Sequence, residues 1–343
     1  MTDTAASSRR LMDLLVGYWA SQAVYVAAKL GIVDELAAGP ASAAQLAART
    51  GSDEPSLTRL LRFLVELDVL AEDPAGGYRA TGVGAQLATA EQGSMRDLAL
   101  LYGEEFYTGW GNLLHTVRTG ENGFESAFGA AMYPYFGRTP ELTAKFDRAM
   151  AASSAFFEPI PALYDFGGAK TVVDIAGGNG ALLAVVLRAH PDLRGVLFDA
   201  GHVVDAARHG LAGSDVGDRV EYASGDYYQE IPAGGDVYLL SRVLHGRDDD
   251  HCLQVLARIR EAVPENGALL IVERVVSEDG SPSLAAWFDV HMLTIAGGTE
   301  RTASQYRALL ERADFTLAAV EDLPLDTRLL VAVPRSAAGS PSA

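Results

Sequence analysis

The stretch Val172-Val173-Asp174-Ile175-Ala176-Gly177-Gly178-Asn179-Gly180 decides the fold. A β-type run breaks into glycines, and the acid-ended run Gly195-Val196-Leu197-Phe198-Asp199 follows at the spacing of a second strand. Strand, glycine turn, helix and a second strand ending in a carboxylate suited to ribose hydroxyls are the parts of a doubly wound ligand site. Gly177 and Gly178 let backbone approach a ligand closely. A dinucleotide is disfavoured. Counted from Gly178, Gly180 is in place but the third glycine position holds Leu183, and Asp174 at the head of the loop repels phosphates. That acid suits a ligand with a cationic amino acid end. S-adenosylmethionine has the ammonium, a sulfonium, no phosphate and a ribose diol for Asp199 to accept from, so it is the cofactor expected; the competing reading is an ordinary strand-to-helix turn.

Outward from this stretch, strands and helices alternate from Lys170 onward. Strands are expected at 171–176, 196–199, 220–223, 236–240 and 268–273, with helices between them, and a last pair at 316–321 and 328–333. The fold class is therefore α/β, a Rossmann-like doubly wound sheet, closed by an antiparallel hairpin. Ahead of it lies a mainly helical region. Helices at 42–51 and 56–67 around a glycine turn, then a hairpin at Gly76-Gly77-Tyr78, read as a winged helix. Arg59 and Arg62 are offset by Glu66 and Asp68, so a dimerisation scaffold is preferred over DNA binding. The expected division is a winged-helix dimerisation domain at 1–96, an aromatic-rich helical linker and pocket region at 97–165, a cofactor-binding catalytic domain at 166–335 and a disordered tail at 336–343.

The chain has 343 residues, a formal net charge of -18 and one cysteine, Cys252. The acidity disfavours nucleic acid and anionic membrane as partners. A lone cysteine forms no internal disulfide and fits the cytoplasm. Ser8-Arg9-Arg10 ahead of the uncharged run Leu14 to Ala28 imitates an export or membrane signal, yet the run falls short of the about 20 apolar residues that a span needs. A helix apolar on nearly all sides fits burial in an oligomer interface instead.

Open α/β sheets place ligands beyond the carboxyl ends of their strands. Those ends carry Gly177 and Gly178, then Asp199, then Gly225-Asp226-Tyr227, then His245, then Glu273. Asp226 can accept from an exocyclic amine, or it can simply cap its loop. Tyr227 can lie on an adenine face. His245 over such a cleft is a candidate general base, with Glu273 and Glu300 flanking its ring; the competing reading pairs those acids with Arg274 and Arg301. No His, Cys and Asp set shows metal-ligand spacing, so no metal is expected.

Taken together, Asp174 to Gly180, Phe198-Asp199, Gly225-Asp226, Val243-Leu244-His245, Asp248 to Val263, Ile271-Val272-Glu273 and Gly297-Gly298-Thr299-Glu300-Arg301-Thr302 carry a resemblance over nearly the whole chain. The sequence resembles the class I S-adenosylmethionine-dependent small-molecule O-methyltransferases, in the branch of plant caffeate-type and bacterial polyketide or phenazine enzymes. The resemblance implies a homodimer with a winged-helix N-terminal portion. It makes His245 the base that deprotonates the acceptor hydroxyl, with Glu273 and Glu300 bracketing it. It gives Asp199 to the ribose, Asp226 and Tyr227 to the adenine, and turns Ser241 to the cofactor. Phe146, Met150, His291 and Met292 match positions that line the acceptor pocket. Two departures stand out: His245-Gly246-Arg247 where the family reads His-Asp-Trp, and Ala176 where glycine is common.

The expected activity is methylation of a phenolic hydroxyl on an aromatic secondary metabolite. A phenol of pKa about 10 lies within reach of a histidine of about 6.5 whose basicity carboxylates raise. The alternatives are a non-methylating homologue that uses the cofactor structurally, and a ligand-responsive winged-helix regulator.

Overall fold

Among the described residues eight strands form the sheet, the seven that the alternation calls for and a further strand of two residues. The structure, a computed structural model, describes residues 4–74, 76–91, 93–151 and 154–335; the expected tail from Ser336 lies outside them. The chain folds as two units, one built from residues 4–111 and 133–151, the other from 112–132 and 154–335. Residues 97–165 thus divide between the units rather than forming one segment.

In the first unit, helices Ala43–Thr50 and Glu54–Glu66 lead into strands β1 (Leu70–Glu72) and β2 (Tyr78–Ala80), the wing. Local chemistry fixes their ends. Ser42 and Gln45 form a reciprocal capping box, Gly51 closes the first helix at φ 67°, and Asp53 accepts from the Ser56 amide at 2.9 Å. The core of this unit is built on Ile32, Leu46, Leu61 and Leu64, all without solvent exposure. The N-terminal helical run breaks into Thr4–Leu15, Gly17–Leu30 and Ile32–Glu35, the second break at left-handed Gly31. Leu11, Met12, Leu14, Leu15, Tyr18 and Trp19 are each more than half exposed in the single chain. Among the described residues no helix is long and apolar enough to cross a membrane.

The second unit holds β3 (Thr171–Ile175), β4 (Arg194–Asp199), β5 (Val220–Ser224), β6 (Val237–Ser241), β7 (Ala268–Val276), β8 (Arg301–Thr302), β9 (Phe315–Leu323) and β10 (Thr327–Pro334). Their order is β5-β4-β3-β6-β7-β10-β9, with β8 paired to the end of β7. The first five run parallel and β10 runs antiparallel to both neighbours. Side chains alternate between faces. Val172, Leu239, Leu270 and Val272 enter one core, while Val173, Ile175, Leu240 and Ile271 enter the other. Burial on both faces explains why these strands read as unbroken apolar runs. The strand order reverses between β3 and β6, so the crevice of this sheet opens where the loops after those two strands part.

Candidate active site

The loop after β3 turns through three left-handed residues at alternate positions, Ala176 at φ 53°, Gly178 at 57° and Gly180 at 78°. Space demands glycine as well as conformation. A Cβ on Gly177 would stand 2.9 Å from the Asp174 carboxyl, and one on Gly180 would stand 2.8 Å from Leu197 and Leu211. Ala176 holds the same backbone conformation with a side chain attached, a strained state for an L-residue.

Asp199, at the end of β4, has both oxygens oriented by this loop. Oδ2 accepts from the Gly178 amide at 2.9 Å and Oδ1 from the Ala200 amide at 2.7 Å. Each oxygen keeps a lone pair for a further donor. Asp174 is 1 % exposed and lies beneath the loop, where the Leu183 amide in the first turn of the next helix donates to it. Burial, reinforced by the charge of Asp199, pushes its carboxyl up to about 7. Its Oδ2 and the Oγ of Ser241, at the end of β6, are buried without a protein partner. An orphaned carboxylate oxygen calls for a cation and an orphaned hydroxyl for a polar group. The amino acid end of S-adenosylmethionine provides both, and the ribose diol provides donors to Asp199, so these residues fit that cofactor.

Asp226 follows β5 and already caps its own loop: Oδ1 accepts from the Tyr228 amide at 2.9 Å and Oδ2 from Gln229 Nε2 at 3.1 Å. The capping reading is therefore seen directly. Tyr227 is half-buried, and its ring lies 4.8 Å from that of Tyr228.

His245 sits in a short 3-10 turn, Leu244–Gly246, after β6. Its Nδ1 lies 2.9 Å from Glu300 Oε1 and 3.6 Å from Glu273 Oε2. The acids do not flank the ring; both approach its Nδ1 edge. Their duties differ. Glu273 Oε1 accepts from the Val243, Leu244 and His245 amides at 2.9, 2.8 and 3.4 Å and so shapes the loop, while Glu300 holds the ring. The remaining oxygens of both acids are buried without a hydrogen-bond partner in the protein. Burial lowers the His245 pKa, but the charge of Glu273 and the bond to Glu300 outweigh it and the net shift is upward. With Nδ1 occupied by Glu300, Nε2 is the nitrogen left for a substrate proton.

The supports of this arrangement were not read from the sequence. Arg301 pairs with neither acid. Its guanidinium donates to the Leu244 carbonyl at 2.9 Å, the Arg247 carbonyl at 2.9 Å and Asp249 Oδ1 at 2.8 Å, stapling the base loop to the following helix. Asp289 accepts from the Glu300 amide at 2.8 Å, and a Cβ on Gly298 would stand 2.1 Å from the His245 carbonyl. The run Gly297 to Arg301 is thus a brace for His245, which explains its motif character. The signal was the Gly-Gly pair itself, a mark of close backbone approach.

His291, in helix Leu284–Ile295, is 7 % exposed, and burial, with Arg274 and His245 adding to it, lowers its pKa to about 3. Its neighbour Met292 is also buried. Phe146 and Met150 belong to helix Pro140–Ala151 of the first unit, where Phe146 stacks on Phe136 at 4.8 Å. Among the described residues, His245, Glu273 and Glu300 form the one group of three whose ligand atoms lie within 4.8 Å of one another. Glu273 Oε1 already serves three amides and Nδ1 serves Glu300, the bonding of a proton-holding set.

A parallel sheet with a glycine loop, an acid oriented by two backbone amides and a carboxylate-held histidine at its switch point defines a cofactor-dependent transferase site of the methyltransferase type. Comparison with known proteins narrows it. Residues 110–316 match the O-methyltransferase domain and residues 12–90 the O-methyltransferase dimerisation domain. The chain is 47% identical over 97% of its length to 3-amino-4-hydroxybenzoate 4-O-methyltransferase of Streptomyces cremeus, of which it covers 91%. It is 42% identical to a phenazine O-methyltransferase of Lysobacter antibioticus, covering 90% of each chain. The crystal structure of human N-acetylserotonin methyltransferase in complex with SAM superposes with a TM-score of 0.89 at 26% identity, covering 96% of this chain and 97% of that one. The chain belongs to the O-methyltransferase family. It is an S-adenosylmethionine-dependent O-methyltransferase that carries the family's dimerisation domain and forms a homodimer.

Proposed function

We propose that the enzyme methylates a phenolic hydroxyl of an aromatic secondary metabolite, of the chemical kind exemplified by the hydroxybenzoate in the name of its Streptomyces cremeus relative, with His245 as general base. The observation that carries this is the His245 Nδ1 to Glu300 contact of 2.9 Å at the carboxyl edge of the sheet, on a ring with 13% side-chain exposure. Bound S-adenosylmethionine supplies an electrophilic methyl group on its sulfonium. The protein's part is to hold the oxygen in line and take its proton.

His245 accepts that proton at Nε2 while Nδ1–H donates to Glu300. The buried charges of Glu273 and Glu300 stabilise the imidazolium that results, and Glu273 keeps the loop in shape. Asp199, oriented by two amides, receives the ribose hydroxyls. Asp174 Oδ2 answers the ammonium, Ser241 Oγ the polar amino acid end, and Asp226 and Tyr227 the adenine. Gly177 and Gly178 give the close backbone approach. The acceptor roles that the resemblance gives Phe146, Met150, His291 and Met292 are proposed with it. The buried, reduced thiol of Cys252 supports a cytoplasmic location.

Incubation of the enzyme with S-adenosylmethionine and a panel of phenols, quinols and hydroxylated aromatic acids tests the proposal by mass spectrometry. Gain of one methyl on oxygen in at least one phenol is expected. Transfer to amines or carbon alone contradicts it.

A further inference from the structure

Helix Ala303–Arg312 follows the brace that holds His245, and its Tyr306 has no solvent exposure. The ring lies in the core that also takes in Leu244 of the base loop and Cys252 of the next helix. Burial, and then the charges of Glu273 and Glu300, hold its pKa well above the ordinary value. Charges act on a buried group in this way at short range, so the hydroxyl and the two acids share one neighbourhood behind the base. Yet the Tyr306 hydroxyl makes no hydrogen bond within the protein. Nor do Glu273 Oε2 and Glu300 Oε2, and all three atoms are closed to solvent.

A count of donors decides what can satisfy them. An ionised carboxylate oxygen only accepts, and a phenolic O–H supplies one donor. Turning the hydroxyl to one acid therefore leaves the other oxygen buried and unmet, a costly state. One water closes the count. It has two hydrogens for the two carboxylates and a lone pair for the tyrosine, and about three hydrogen bonds are the usual complement of a buried water. The charges ask for the same donors. When His245 is neutral, two buried acids face its Nδ1 edge, with Glu300 Oε1 at 2.9 Å and Glu273 Oε2 at 3.6 Å from that nitrogen. Burial, with the charge of Glu300 adding to it, pushes the Glu273 carboxyl upward, and donors to the free oxygens oppose that push.

Among the described residues no other group around the base supplies those donors. Arg301 of β8 donates to the Leu244 and Arg247 carbonyls and to Asp249, and the Cys252 thiol donates to the Leu244 carbonyl at 3.3 Å. Asp289 is occupied with the Glu300 amide. Arg242, after β6, lowers the basicity of His245, and His291 of helix Leu284–Ile295 acts on the same ring.

We propose that Tyr306, Glu273 and Glu300 hold one buried water molecule behind His245, which donates to the free oxygens of both acids and accepts the Tyr306 O–H. Tyr306 is thereby a positioning residue that acts on the base through the water and the acids. The inference rests on the reading of His245 as general base.

Tyr306→Phe deletes the hydroxyl and keeps the ring. Tyr238→Phe is its control, because Tyr238 is equally buried but its hydroxyl serves the Pro232 and Ala262 carbonyls at 3.0 Å. In the full-length enzyme with S-adenosylhomocysteine bound, NMR of carbon-labelled histidine gives the His245 pKa, and His245→Ala assigns the signal. A crystal structure of the same complex shows the water directly. One ordered water is expected at about 2.7 to 3.2 Å from all three oxygens. The His245 pKa is expected to fall by about 0.5 to 1 unit in Tyr306→Phe and to stay in place in Tyr238→Phe. The direction follows because carboxylates that lose part of their hydrogen bonding are weaker partners for an imidazolium. The kcat/KM for a neutral phenol then rises at lower pH and levels about 3- to 10-fold below wild type. Direct contact between the hydroxyl and either acid overturns the proposal. So does a Tyr306→Phe variant that melts earlier but leaves the His245 pKa where it was, the mark of a role in stability alone. A pKa that falls while the kcat/KM profile stays unmoved supports the water and overturns the reading of His245 as base.

Discussion

Glu300→Gln removes one charge from the pair behind the base and leaves its shape. Glu300 Oε1 lies 2.9 Å from His245 Nδ1, and the Glu300 side chain has no solvent exposure. At about 3 Å and an effective dielectric of about 20, two unit charges attract by about 6 kcal/mol. Only part of this is lost, because Glu273 Oε2 remains 3.6 Å from the ring and the new amide oxygen still accepts from Nδ1–H. A loss of about one to two pKa units' worth of imidazolium stabilisation follows, about 1.4 to 2.7 kcal/mol, or about 10- to 100-fold in kcat/KM. The direction with pH is fixed too. The base works when neutral, so kcat/KM rises with pH through the His245 pKa, which the acids hold above its ordinary value. In Glu300→Gln that pKa falls, so the rise moves to lower pH while the plateau drops. The assay is kcat/KM for a neutral phenol between pH 5 and 9. An unmoved rise together with an unchanged plateau refutes the reasoning.

The sequence made the sheet legible because parallel strands buried on both faces read as long apolar runs, and the glycine loop and Asp199 stand where strand ends must stand. The order of the site residues along the strands also followed. Other features were hidden. The two-residue strand Arg301–Thr302 is too short to show a period, and it is set by pairing with Val275 and Val276. Two tertiary matters escaped: Arg301 reaches across to Asp249 rather than to its neighbour, and both acids share one edge of His245. Each depends on side-chain direction between distant segments, which spacing along the chain does not encode.

Asp199→Ala is expected to weaken S-adenosylhomocysteine binding by about 1.5 to 3 kcal/mol, the scale of lost hydrogen bonds to a charged group; calorimetry showing unchanged affinity removes Asp199 from the site. Asp174→Asn is expected to raise the melting temperature of the cofactor-free protein at pH 8 and to weaken cofactor binding there. The folded carboxyl titrates at about 7, far above the ordinary 3.8, so its favourable contribution is complete below about pH 3.8 and is lost as pH rises to about 7. A variant with a melting temperature no higher than wild type at pH 8 counts against that reading.

The central claim is that His245 takes the proton, and a paired comparison of His245→Ala with His291→Ala on a neutral phenol tests it most directly. General bases contribute about 10²- to 10⁴-fold, so the account predicts a kcat loss on that scale in His245→Ala with cofactor affinity kept. His291, whose pKa is lowered to about 3, is too weakly basic to replace it. Retention of near-wild-type methylation by His245→Ala, with loss in His291→Ala, contradicts the account.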